Sequence, residues 1–210
     1  MRPTRSTFCL LCALLLGCQN VGKIDAPFLG RAAWQQPDDV VRALGIDAGD
    51  SVADLGAGKG YFVPYLSEAV GPDGRVYAVD VDPERTSALE ERFGETDSNV
   101  EILLGRYEDP LLPDAAIDVV LIVNTYHHIE ERPLYFSRLR DDLSPGGRVA
   151  IIEPDEDLTG VLSWFHTEGH TSSAPTIVDE MRKAGFEPVE SHDFLPIQVF
   201  EVFQPTGDAS

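Results

Sequence analysis

Residues 52–61 read Val-Ala-Asp-Leu-Gly-Ala-Gly-Lys-Gly-Tyr: an apolar strand carrying an acid, a turn with glycine at 56, 58 and 60, and the opening of a helical pattern. Glycine reaches positive φ without steric cost, so such a turn can be tight and its backbone can lie close to a ligand. A helix starting directly out of the turn offers unpaired N–H groups and partial positive charge. The next apolar stretch, 76–81, carries Asp80 near its end, 24 residues after Gly56. A carboxylate there can accept both hydroxyls of a ribose. The two features together predict a nucleoside lying across the point where a parallel sheet reverses its winding.

The spacing narrows the nucleoside. The dinucleotide fingerprint G-x-G-x-x-G fails, because Tyr61 holds its sixth position and Gly60 comes one place early. Asp54, just ahead of the turn, suits a cationic ligand with an amino group better than a pyrophosphate. No G-x-x-x-x-G-K-[ST] occurs, which excludes a P-loop.

The remaining chain alternates the two periods. Strands are expected at 51–55, 76–81, 100–104, 117–123, 149–153, 186–195 and 197–203, and helices at 37–44, 61–70, 83–93, 132–143 and 176–184. Pro37 and Pro83 suit first turns, and Gly45 and Gly185 suit helix ends. The run 117–123 (IDVVLIV) is the most apolar and is expected at the centre. Ser144-Pro145-Gly146-Gly147 reads as a turn, and 154–174 as an irregular insertion. Such alternation predicts an α/β fold: a doubly wound, mostly parallel seven-stranded sheet with helices on both faces. The last two strands are close enough to pair as a hairpin and supply an antiparallel terminal strand at the edge.

Charge and cysteine narrow the partners. Thirty-six Asp and Glu against 16 Lys and Arg give a net charge of −20, which disfavours a nucleic-acid partner. Cys9, Cys12 and Cys18 are the three cysteines, so nothing later in the chain can bind zinc through sulfur or act as a thiol nucleophile. Residues 1–18 combine Arg2 and Arg5 with a short apolar run from Phe8 to Leu16, the form of a secretory signal and too short for a permanent membrane span. Leu15-Leu16-Gly17-Cys18 resembles the bacterial lipobox, which implies cleavage before Cys18 and lipidation of that residue. Gln19 at the following position is not the Asp that retains lipoproteins in the inner membrane. The expected organisation is a signal at 1–17, a tether at 18–30, a folded body at 31–204 and a tail at 205–210. Removing the signal takes two arginines and no acid, leaving a charge of −22 in place of −20. The expected location is the bacterial cell envelope, lipid-anchored on the periplasmic face of the outer membrane; a misassigned start would imply the cytoplasm, although no Met occurs between Met1 and Met181.

Over roughly residues 31–204 the sequence resembles the class I S-adenosylmethionine-dependent methyltransferases. The likeness rests on VADLGAGKG, VYAVDVDP, NTYHHI and LSPGGRVAIIEP, and is nearest to the branch acting on small molecules, quinones and lipids. It implies S-adenosyl-L-methionine as cofactor and a small-molecule or lipid-like acceptor. Asp54 would lie near the methionine amino group, with Gly56, Ala57, Gly58 and Gly60 lining the loop. Asp80 would hold the ribose and Val81 would touch adenine. Tyr107 and Glu108 would edge the adenine; Arg106 stands where many relatives have Asp, so Glu108 or a backbone carbonyl would take the adenine amino group. Asn124 would face the methyl-donor region. The N-P-P-Y signature of amino-group methyltransferases acting on nucleic acid or protein is missing.

Tyr126, His127 and His128 follow the central strand, at the expected mouth of the pocket. One histidine could be a base or a hydrogen-bond donor to substrate; alternatively one packs inward and the other is solvated. His166 and His170, with Glu168 between, have metal-like spacing but no evident third ligand, so no metal site is expected. His192 is expected at the surface. Two functions compete: a membrane-tethered methyltransferase, and an exported module that keeps the fold and binds a nucleoside without catalysis.

Overall fold

The computed structural model describes residues 30–95, 98–155 and 172–207. Cys18, the signal, most of the tether, the His166–His170 pair and nearly all of the insertion therefore lie outside the described residues. Among the described residues no helix is long and apolar enough to cross a membrane.

Seven strands form one sheet: β1 (Ser51–Leu55), β2 (Arg75–Asp80), β3 (Val100–Leu104), β4 (Ile117–Val123), β5 (Leu143–Pro154), β6 (Phe186–His192) and β7 (Gln198–Pro205). Their spatial order is β3-β2-β1-β4-β5-β7-β6. Strands β1 to β5 pair in parallel, and β7 runs antiparallel to both β5 and β6. The expected antiparallel terminal strand is present, but it is not at the edge. β7 inserts between β5 and β6, leaving the shorter-sided, charge-rich β6 outside. That arrangement is physically reasonable: β7 is buried along most of its length, whereas β6 exposes Glu187, Val189, Glu190 and Ser191.

Among the described residues the α-helices are α1 (Arg31–Gln35), α2 (Pro37–Leu44), α3 (Val63–Val70), α4 (Pro83–Phe93), α5 (Arg132–Leu139) and α6 (Ala174–Lys183). The parallel strands are buried on both faces and so read as nearly continuous apolar runs. On one face Val40, Phe62, Leu66 and Leu89 of the helical layer pack on Val52, Val76, Leu121 and Ile152. On the other, Tyr135, Phe136, Leu139, Ile177 and Met181 pack on Ala53, Val79, Ile122 and Ile151. The two sets alternate along each strand, as the pleat requires.

Helices α2 and α4 start and end where the sequence places them. Asp82 caps α4, its carboxylate accepting the Glu84 N–H at 2.8 Å. Other boundaries differ. α3 begins at Val63, two residues later than expected, because Pro64 lacks an N–H and belongs in a first turn. α1 was not foreseen. It is separated from α2 by Gln36, held at φ 41°, and Pro37 opens α2, where its missing N–H costs no intrahelical bond. α5 stops at Leu139 and a single 3₁₀ turn, Arg140–Asp142, follows. The expected 144–147 turn is a bulge within β5. Ile117 pairs with Leu143 and Val119 already pairs with Arg148. Asp118 fastens this bulge, accepting the Ser51 N–H at 2.9 Å and the Ser144 hydroxyl at 2.6 Å.

Candidate functional site

Strands β1, β2, β4 and β5 end together at one edge of the sheet, and the expected site residues gather there. From β1 the chain enters the glycine turn, with Gly56, Gly58 and Gly60 at φ 79°, 58° and 70°. The N–H groups of Gly56 and Ala57 donate to the Val79 carbonyl at 2.8 and 2.9 Å, folding the turn back over the end of β2. The glycines differ in what they make room for. A Cβ at Gly56 would fall 2.3 Å from Thr125, just past β4. A Cβ at Gly60 would meet Phe93 at 2.5 Å and Leu89 at 2.8 Å, so this position serves the seating of α4. At Gly58 the nearest atom is 3.9 Å away, leaving room beside the turn.

Asp80 is buried, 3% exposed. One carboxylate oxygen accepts the Gly58 N–H at 2.9 Å, the other accepts the Asp82 N–H at 3.0 Å, and Arg85 stands 3.6 Å away. Capping of α4 falls to Asp82, so Asp80 is not used as a helix cap. A carboxylate has about four acceptor positions; two N–H groups fix its orientation and still leave room for two hydroxyls. The Asp80 carbonyl also receives the Gly105 N–H at 3.0 Å, bringing the segment after β3 alongside. There Arg106, Tyr107 and Glu108 are exposed, Tyr107 at 72%. Val81 is partly buried between Asp80 and α4.

Asp54 is 4% exposed, and burial pushes its carboxyl up to about 7, opposed by the Arg31 guanidinium and aided by the Asp80 charge. Arg31 itself lies 3.9 Å over the Tyr61 ring and donates to Gln35. This contribution from α1 has no signature in the sequence. Gln35 is 1% exposed, and its Nε2 is buried without a hydrogen-bond partner. At the other side of the edge Asn124 ends β4 at φ 53°, a conformation asparagine tolerates. Its side-chain oxygen accepts Gln198 Nε2 from β7 at 2.9 Å, while Gln198 Oε1 is buried and unpartnered. Gln35 Nε2 and Gln198 Oε1 are thus a buried donor and a buried acceptor that each await a partner.

The segment after Asn124 departs from expectation. It forms a 3₁₀ turn, Tyr126–His128, and Tyr126 is fully buried rather than at the pocket mouth. Its ring stacks on Phe136 at 5.6 Å, and its hydroxyl donates to Glu180 at 2.6 Å. Glu180 also receives two N–H groups of Arg132, at 2.7 and 3.1 Å. Burial and Glu180 push the Tyr126 phenol far above its ordinary value, so Tyr126 anchors α5 and α6 and is withdrawn as a catalytic candidate. His128 is exposed, and the His127 side chain is 8% exposed, with their rings 4.0 Å apart. Glu153, at the end of β5, lies 2.7 Å from His127 Nδ1. It was read only as a strand end. The available signal was its pattern: VAIIE places an acid at the end of an apolar strand, as VAD and VYAVD do.

Among the described residues no three His, Cys, Asp or Glu side chains could hold a metal ion. A cavity of about 530 Å³ is lined by Ser67, Arg75, Arg92 and Asn99, at the opposite ends of β2 and β3.

A doubly wound sheet with a glycine turn after β1 and an acid closing β2 is the fold of the S-adenosylmethionine-dependent methyltransferases. Such an enzyme from Aquifex aeolicus superposes with a TM-score of 0.70 at 23% identity, over 82% of this chain and 93% of that one. A Burkholderia thailandensis N1-methyltransferase, solved with 1,6-didemethyltoxoflavin and S-adenosylhomocysteine, gives 0.61 at 23% identity over 86% and 81%. Residues 52–147 match the family described as a methyltransferase domain. It is 33% identical over 156 residues to an arsenite methyltransferase of Halobacterium salinarum, covering 68% of this chain and 38% of that protein. It is 27% identical over 124 residues to a ubiquinone/menaquinone biosynthesis C-methyltransferase of Hahella chejuensis, covering 57% and 49%. The chain thus spans 38% and 49% of the length of these two relatives.

Proposed function

We propose that the protein transfers a methyl group from S-adenosylmethionine to a small-molecule or lipid-like acceptor, and does so as a lipoprotein held at the envelope membrane through Cys18. The observation that carries the catalytic reading is the buried acid–glycine–acid edge of Asp54, the 56–60 turn and Asp80. When bound, the cofactor supplies an electrophilic methyl group on a sulfonium centre.

The chain's own residues divide the binding work. Asp80 is pre-oriented by two N–H groups to accept ribose hydroxyls, so little ordering remains at binding. Asp54 offers a carboxyl whose ionisation a neighbouring ammonium would favour. Gln35 and Gln198 each hold a buried polar atom in need of a partner, and the Gly58 side of the turn leaves space. Methyl transfer then depends on alignment of acceptor and donor, which the rigid strand ends supply. The relatives named above act on arsenite and on quinone precursors by name; soft arsenic(III) favours thiolates, and no cysteine follows Cys18. This favours an organic acceptor. Lipidation of Cys18 would confine the domain to a membrane surface, where a lipid-like acceptor is concentrated.

Calorimetric titration of residues 24–210 with S-adenosylmethionine and with adenosine tests the cofactor assignment. Saturable binding of the first, much tighter than adenosine, is expected; equal affinity for both would favour a nucleoside-binding module. Palmitate labelling lost in Cys18→Ser tests the anchor, and labelling that survives the substitution would remove it.

A further inference from the structure

Glu153 ends β5 with a carboxylate that is 0% exposed, and none of the cofactor contacts assigned above uses it. One oxygen accepts the Tyr126 N–H at 2.7 Å, and the other lies 2.7 Å from His127 Nδ1. Strand register creates the pair. Val123 lies opposite Ile152, and the Asn124 N–H donates to the Ile152 carbonyl at 2.9 Å, so Glu153 arrives beside the turn that carries His127.

We propose that Glu153 and His127 form a proton-accepting dyad, and that the acceptor is of the class whose nucleophilic atom still carries a proton on binding, such as a hydroxyl or an acidic carbon. This rests on the methyl-transfer reading above. A buried carboxylate needs donors, and Glu153 has two aimed at it. With Nδ1 donating to Glu153, the imidazole lone pair is on Nε2. The carboxylate behind the ring fixes its orientation and its tautomer. Glu153 is the positioning residue, and His127 the base. In the step, the acceptor's bond to hydrogen breaks and the proton passes to Nε2. The freed electron pair forms the new bond to the methyl carbon, the carbon–sulfur pair stays on sulfur, and the imidazolium later returns its proton to water. A thioether or tertiary amine has no proton to give and gains nothing from the dyad.

Among the described residues the charged surroundings are Glu153 from β5, His128 on the same turn, Asp155 just beyond β5, and the Tyr126, Arg132 and Glu180 group, of which Tyr126 and Arg132 feel the Glu153 charge. Glu153→Gln gives a specific test. The amide oxygen must keep accepting the Tyr126 N–H, so the amide NH₂ faces His127 Nδ1 and drives the ring proton to Nε2.

The experiment is nitrogen-15 NMR of the histidine rings in the full chain, with calorimetry of S-adenosylmethionine binding. The expected result is an Nδ1–H tautomer for His127 in the native protein and an Nε2–H tautomer in Glu153→Gln. Cofactor affinity should change less than about threefold in the variant, and the native tautomer should be restored in Glu153→Asp. An Nε2–H tautomer in the native protein, or the same tautomer in both, overturns the dyad. Phenol and thioanisole, offered as probe acceptors, test the class: methylation of phenol, slowed at least about tenfold in Glu153→Gln with KM little changed, supports it. Methylation of thioanisole alone overturns it. Loss of cofactor binding by the native chain would break the methyl-transfer reading and leave the tautomer measurement standing.

Discussion

The two halves of the site edge are built differently. On the β1–β2 side, backbone does most of the work. Three glycines at positive φ fold the turn, and main-chain N–H groups orient Asp80. On the β4–β5 side, side chains paired across long stretches of sequence do it: His127 with Glu153, Tyr126 with Glu180, and Asn124 with Gln198 from β7. The first construction tolerates almost no change at its glycines. The second depends on each pair and on the register of the strands carrying it. Gly56→Val tests the first most severely. The new side chain would meet Thr125 at a 2.3 Å approach and hold φ 79° against its preference, a cost of about 3 kcal/mol or more from strain and overpacking. Thermal unfolding should fall by about 6–12 °C, and calorimetric cofactor binding should vanish. Near-native binding would show that the turn is not the cradle.

The next effect separates the ends of the sheet by pH. Burial pushes both Asp54 at the site edge and Asp142 near the start of β5 up to about 7, Asp142 with help from Asp109, Asp114 and Asp141. In the folded chain these carboxyls keep their protons to higher pH than in the unfolded one. Their contribution is therefore fully present below about pH 4 and is lost as pH rises through about 7. Urea unfolding between those limits should show stability decreasing with pH. Asp54→Asn and Asp142→Asn should each flatten the slope, by an amount on the order of a few kcal/mol across the range. Only Asp54 lies in the site, so S-adenosylmethionine affinity should increase towards pH 7 in the native chain and lose that dependence only in Asp54→Asn. An identical pH profile in both variants would remove Asp54 from the cofactor contacts.

This contrast also explains what could be read from the chain. The glycine turn, Asp54 and Asp80 depend on neighbours in sequence, so spacing alone revealed them, as it revealed β1, β3, β4, α2 and α4 to the residue. Gly60 was equally visible, but its packing against Phe93 and Leu89 was not, since that needs α4 in place. Tyr126 was misjudged because its neighbours in sequence are polar, while its partners, Phe136 and Glu180, come from α5 and α6. Glu153 lies 26 residues from His127; only the parallel β4–β5 register joins them. The place of β7 inside the sheet follows from its burial, which an apolar count over a short strand does not separate from that of an edge.

Asp80→Ala should act mainly on binding. It removes the ribose acceptor and leaves two loop N–H groups without their partner. Hydrogen bonds to a charged group contribute about 1.5–3 kcal/mol each, so cofactor affinity should fall about 100-fold or more. Asp82→Ala is the matched control. It loses the α4 cap and about 1 kcal/mol of stability, with affinity nearly unchanged. Equal losses of affinity in the two would mean that the carboxylate of Asp80 acts by shaping the loop and not by contact.

Glu180→Gln carries the smallest effect and probes the other construction. Glu180 joins α6 to Arg132 of α5 and to the Tyr126 hydroxyl, and Arg132 and Tyr126 hold its carboxyl below the usual range. Glutamine can still accept the Tyr126 proton but loses the charge opposite Arg132. Both charged side chains are partly accessible, 26% and 21%, so solvent screening limits the loss to about 1 kcal/mol, or about 2–4 °C in thermal unfolding. Because the bonds of Glu180 go to Tyr126 and Arg132 and not to Asp54, the 56–60 turn or Asp80, cofactor affinity should be unchanged. A marked fall in affinity would show that anchoring of α6 is transmitted through the Tyr126 turn to Asn124, and that the side-chain half of the edge controls the backbone half.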